Sequence, residues 1–193
     1  MESSETLKIG ELKPMDENST VTDRDTLVTT APVQQSDLQV SASTYNRIIA
    51  RHSGKRLEVE FASTEDGARI LMANGTSGTY QPSHWRFDWV PGFEGRFVTI
   101  RNRNSDKYLD VNGASTDTGA LVVQFTRIQG NFNQHFFLER VGVEDYYAIW
   151  ARHSQKYIEV FGGLSDGHPP LVQSGTRVGQ PTLTHQHFRL QLI

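Results

Sequence analysis

Residues 107–125 read KYLDVNGASTDTGALVVQF, and two other stretches restate them: KRLEVEFASTEDGARILMA at 55–73 and KYIEVFGGLSDGHPPLVQS at 156–174. Counting outward from the leading Lys of each, Tyr45, Phe97 and Tyr146 stand ten residues upstream, Ile48, Ile100 and Ile149 seven, and Arg51, Arg103 and Arg152 four, with no gap. His52, Asn104 and His153 come next, followed by Ser53, Ser105 and Ser154. Downstream, Leu57, Leu109 and Ile158 align, then Val59, Val111 and Val160, then Gly67, Gly119 and Gly167. Each unit closes on His and an aromatic with an apolar residue two further on: His84-Trp85 with Phe87, His135-Phe136 with Leu138, His187-Phe188 with Leu190. Repetition on this scale governs how every other motif is read.

Within a unit the apolar residues alternate over short runs (Leu57 with Val59, Val98 with Ile100, Leu121 with Val123), and Ser-Gly, Asp-Gly and Asn-Gly pairs separate the runs. That is the pattern of strands and hairpins, and no segment carries a 3.6-residue period of helical length. Units of about 50 residues with four short strands also build propellers, but those close with roughly four to eight blades. Three units predict an all-β fold, a β-trefoil, with units at about 45–90, 97–141 and 146–193. Each would give two strands to a closed six-stranded barrel and two to a hairpin cap, leaving no free edge. The isoleucines, the Leu/Ile and Val pairs and the closing aromatics should meet near the pseudo-threefold axis.

The 193 residues suit one such core. Residues 1–44 differ in character: eight acids stand against Lys8, Lys13 and Arg24, there is no aromatic, and the expectation is an acidic, disordered extension. The remaining 14 acids and 16 bases form no long basic run, which argues against a nucleic-acid partner. Without Cys there is neither a disulfide nor a thiolate nucleophile or ligand. No basic-then-apolar leader and no stretch of about 18 apolar residues is present, so membrane insertion is not expected, and the expected location is cytoplasmic or reached by non-classical export. The sequons at Asn18 and Asn74 carry no weight in that setting.

The run RHSxKxLEV, the DGA turn and the closing Gln-x-aromatic resemble the ricin-type β-trefoil lectin family, whose units carry L-D-V, a Gly-Ala turn, a Q-W pair and a final Q-x-W. The resemblance covers residues 45–193. It implies a shallow sugar pocket per unit, built from the L-D-V Asp, an aromatic about fifteen residues later, and an Asn-Gln pair before the last aromatic. The chemistry is coherent: a carboxylate accepts from two neighbouring hydroxyls, an aromatic face covers the C–H side of the ring, and an amide tests hydroxyl direction. Unit two supplies Asp110, Phe125, Asn133 and Gln134, with Gln124 matching the Q-W pair. Unit one has Glu58, Ala73 and Ser83 at these places; unit three has Glu159, Ser174 and His185-Gln186 after a Pro169-Pro170 insertion. Neither outer unit is expected to bind sugar in the family manner, and Glu58 and Glu159 are read as solvated or paired with nearby Lys and Arg.

A scaffold reading stands beside this one: Asp110 serving turn amides ahead of Asn112-Gly113, Phe125 packing the cap, Asn133-Gln134 pinning the last strand. Their coincidence in one unit favours the site. His84, His135 and His187 recur as scaffold and lack an orienting acid, so no metal is expected; the Ser-His neighbours lack the rest of a triad. Arg51, Arg103 and Arg152 are each read as bracing their own turn. The expectation is a non-enzymatic module for galactose or N-acetylgalactosamine-type glycans or glycoproteins, without cofactor, and dependent on self-association or clustered ligands for avidity. The alternative is a protein-interaction module like the fascin-type actin bundlers; a protease inhibitor presenting Pro169-Pro170 ranks last.

Overall fold

The computed structural model describes residues 44–75, 78–142, 145–175 and 183–193, so the acidic extension lies, but for Thr44, outside the described residues. The three units fold as four strands each: β1 (Asn46–Ala50), β2 (Arg56–Val59), β3 (Ile70–Ala73) and β4 (Trp85–Trp89); β5 (Val98–Asn102), β6 (Tyr108–Val111), β7 (Val122–Phe125) and β8 (Phe136–Arg140); β9 (Tyr147–Ala151), β10 (Tyr157–Val160), β11 (Leu171–Ser174) and β12 (His187–Leu192). Antiparallel pairs run β1–β4, β4–β5, β5–β8, β8–β9, β9–β12 and β12–β1, closing a six-stranded barrel. The hairpins β2–β3, β6–β7 and β10–β11 form the cap, linked by single bridges Arg69 to Val123, Leu71 to Pro170 and Leu121 to Val172. This is the predicted trefoil.

The aligned apolar columns converge. Ile48, Ile100 and Ile149, Leu57, Leu109 and Ile158, Val59, Val111 and Val160, and Trp85, Phe136 and Phe188 are all fully buried in one cluster. At about 1.5–3 kcal/mol per large side chain, their burial supplies the cohesion that disulfides give smaller folds. Trp85 has its indole N–H satisfied by Leu57 O at 3.0 Å.

The polar columns fasten one unit to the one before it. Arg103 lies 4.7 Å from the Tyr45 ring centre, Arg152 4.7 Å from Phe97, and Arg51 4.6 Å from Tyr146. Their backbone N–H groups donate to His84, His135 and His187 carbonyls, at 2.9, 2.9 and 2.8 Å. The expectation that each Arg braces its own turn is therefore corrected: each guanidinium reaches across a unit boundary, where a flat cation over an aromatic face is favourable. His153 Nε2 meets Ser115 O (2.8 Å), His52 Nε2 meets Leu164 O (3.1 Å), and Asn104 donates to Ala62 O (3.1 Å), in the same rotational sense.

The closing histidines are buried within these joints. Burial, with nearby arginines, lowers their affinity for a proton: His84 and His135 fall to about 4, and His187 shifts in the same direction. Neutral imidazoles at neutral pH are what a crowded, cationic joint requires.

Candidate functional site

In β6, Asp110 lies opposite Val123 of β7, and Tyr108 lies opposite Phe125. Alternation along the strands puts these four on one face of the hairpin. The chain then turns through Asn112–Ala114, where Gly113 (φ 62°) takes the left-handed conformation that frees β6 to end there. On the other side, the turn Phe132–Gln134 precedes β8 and aims two amides back at the carboxylate.

Asp110 is only 3% exposed. Asn133 Nδ2 donates to Asp110 Oδ1 (2.9 Å) and to Val111 O (3.1 Å). Gln134 Nε2 donates to Asp110 Oδ2 (2.9 Å) and to Thr126 O (2.9 Å), while its Oε1 accepts from Ile128 N (3.1 Å). Both N–H groups of Gln134 and one lone pair of its Oε1 are thus engaged, whereas Asn133 retains its Oδ1 and each Asp110 oxygen retains a lone pair. Burial pushes the Asp110 carboxyl up to about 6 against the two amide bonds that favour its anion, and the charge of Asp66 adds to the rise. Asp66 itself is held low by Lys107 (2.7 Å), and it accepts from Thr126 N at 2.6 Å, which latches the end of the Phe125 strand to unit one.

The structure therefore brings Asp110, Asn133 and Gln134 into contact and sets half-buried Phe125 on the same face. It does not bring Gln124 there. Gln124 points to the opposite face, donates to Ser63 O (2.8 Å) and Glu65 O (2.9 Å), and accepts from Ser105 Oγ (2.7 Å). Gln173 repeats this with Ser115 O, Asp117 O and Ser154 Oγ, so both glutamines are unit-to-unit fasteners. The shared Gln173 and the Ser column were the sequence signal for that role.

Unit three keeps half the arrangement. Gln186 Nε2 donates to Glu159 Oε2 at 2.9 Å and His185 Nε2 lies 3.5 Å from the same oxygen, so among the described residues Glu159 is paired with these two, where the sequence suggested solvent or a Lys or Arg. The buried Ser174 occupies the platform position. In unit one, burial raises the Glu58 carboxyl against the opposing charges of His168 and Arg56. Ser83, where unit two has Gln134, donates to Tyr80 O. Among the described residues no group of three His, Cys, Asp or Glu is arranged to hold a metal.

A ricin-type β-trefoil lectin domain-like family profile matches residues 81–180, more than half of the chain. The designed threefold-symmetric protein ThreeFoil is 34% identical, with a TM-score of 0.67 over 76% of this chain and 97% of its own. The exo-β-1,3-galactanase 1,3Gal43A from Clostridium thermocellum is 28% identical, with a TM-score of 0.69 over 80% of this chain but only 31% of the enzyme. The earthworm R-type lectin C-half, solved in complex with GalNAc, shares the fold at 13% identity, with a TM-score of 0.57 over 78% of this chain and 99% of that one. No match is found among curated proteins. The chain belongs to the ricin-type β-trefoil lectin domain-like family.

Proposed function

We propose that the protein is a non-enzymatic carbohydrate-binding module with its main site in unit two, for galactose or N-acetylgalactosamine-type glycans. The observation that carries this is a recessed carboxylate whose two oxygens are each held by one amide, leaving one acceptor site on each for a pair of adjacent sugar hydroxyls. Phe125 supplies the apolar platform on the same face, and Asn133 Oδ1 offers a third polar contact. Gln134 acts by positioning Asp110. The low-dielectric setting strengthens each bond to the carboxylate.

One such site corresponds to a Kd of about 1 mM for a monosaccharide, near −4 kcal/mol, so clustered glycans or self-association provide the useful affinity. A glycan array on the native protein, Asp110→Ala and Phe125→Ala tests the reading. Galactose-terminated binding lost in both variants is the expected result; binding unaffected by either substitution, or none to any glycan, overturns it. Actin co-sedimentation that galactose does not release would point to the protein-interaction alternative.

A further inference from the structure

The threefold pattern is broken at one exposed place. In two of the joints an arginine lies over a single tyrosine, Arg51 over Tyr146 and Arg103 over Tyr45. In the third, the guanidinium of Arg152 is stacked by Phe132 at 4.0 Å and Phe93 at 4.1 Å as well as Phe97. Phe93 comes from the β4–β5 connection. Phe132 stands where units one and three have Gln81 and Thr184, so the barrel does not require it. Both rings are exposed. With Arg127, Gln129 and His135 they line a cleft of about 420 Å³.

The cleft is cationic, and among the described residues no acid forms an ion pair with its arginines, Arg127 and Arg152. Arg152 Nη1 donates to His135 Nδ1 at 3.3 Å, and Glu94, which follows Phe93 in the chain, accepts from Gly92 N at 2.9 Å. With its faces covered by rings, Arg152 can address a ligand only through in-plane N–H groups, the geometry that suits an oxyanion. The exposed edges and faces of Phe93 and Phe132 suit the C–H surface of a saccharide ring.

We propose that this cleft binds an acidic saccharide residue, one bearing a carboxylate or a sulfate, with the anion on Arg152 and Arg127 and the ring against Phe93 and Phe132. It shares the loop 126–134 with the Asp110 site but none of that site's ligand groups, and it stands whether or not Asp110 binds a neutral sugar.

The test is calorimetric titration of the full chain with a galacturonate trisaccharide, its methyl ester, galactose 6-sulfate, sodium sulfate and a phosphoserine peptide. The expected result is saturable binding of the uronate or the sugar sulfate, with the ester weaker by roughly tenfold, as for loss of one charge-assisted hydrogen bond. The two acidic probes show which anion is preferred. Arg127→Gln and Phe132→Thr should each weaken acidic-sugar binding by a similar factor, while Arg189→Gln, which removes the same charge on β12 outside the cleft, should not. Both test positions are exposed, and a melting curve establishes that each variant is folded. Equal binding of acid and ester, equal binding of free sulfate and the sugars, indifference to both cleft variants, or binding of the phosphopeptide alone would each overturn the proposal.

Discussion

Gln134 Nε2 stands 2.9 Å from Asp110 Oδ2, and the other N–H and the Oε1 of that amide are engaged by Thr126 O and Ile128 N. One side chain thus orients the carboxylate and holds the loop leading away from Phe125. Gln134→Ala should destabilise the fold by about 1–3 kcal/mol, because it leaves buried partners unmatched. It should also raise the Asp110 carboxyl further, since a bond that favours the anion is lost. Urea denaturation and NMR titration of the carboxyl carbon check the two effects separately.

Galactose binding should weaken as pH falls through about 6, where Asp110 takes up a proton and one carboxylate oxygen becomes a donor. Titration of the sugar at pH 5 and pH 7.5 measures this; equal affinity at both would remove the anion from the recognition step.

Stability should depend on pH in two opposing ways. His84 and His135 fall to about 4 in the fold from an ordinary value near 6.5, so the unfolded chain binds more protons and stability is lost as pH drops between those values. Asp110 does the reverse: its carboxyl is raised from 3.8 to about 6, so its contribution is fully present below pH 3.8 and is lost as pH rises through about 6. The two histidines outweigh the single carboxylate, and the protein should be acid-labile. Asp110→Ala should steepen the loss of stability between pH 6.5 and 4, as read by denaturant midpoints across that range.

Phe61 adopts φ 53° and is 93% exposed, at the position where the other units have Gly113 and Gly162. A bulky residue in the left-handed region is strained by roughly 1–2 kcal/mol, partly offset by the greater freedom a glycine loses on folding. Phe61→Gly should therefore stabilise the protein by about 0.5–1 kcal/mol, seen as a higher urea midpoint with unchanged slope.

The inter-unit cation–π contacts are separable. Arg103→Gln should cost about 0.5–1 kcal/mol at its exposed joint with Tyr45, and Arg51→Gln a similar amount at Tyr146. The double variant should show the sum, since the two joints share no partner. A deficit well above additivity in thermal melts would mean that the joints communicate through the barrel.

The trefoil was legible because burial repeats: an Ile, a Leu/Ile and Val pair and a closing aromatic recur at matched positions, and each proves fully buried. Asp110 and Asn133 were legible for the opposite reason, since they depart from what the other units carry, while Gln134 recurs in unit three as Gln186. What sequence spacing could not convey was direction across a unit boundary. Gln124 adjoins Phe125 in the chain yet faces away from it, and Arg103 adjoins its own turn yet stacks on Tyr45, because strand alternation and barrel closure decide which neighbour a side chain meets. The Phe93–Arg152–Phe132 stack joins three separate segments, and its only trace in the sequence was a Phe at a position filled by Gln and Thr elsewhere.

The five-residue pairing of β1 with β12, from Asn46 beside Leu192 to Ala50 beside Phe188, brings the two ends of the trefoil side by side. The molecule is in effect a necklace with its clasp at this seam. Joining the seam and opening the necklace at the β8–β9 connection would leave every strand neighbour in place while making the unit that carries Asp110 the last in the chain. Its standing as the second of three is then a property of the gene order, and the pocket depends only on which unit precedes it around the ring.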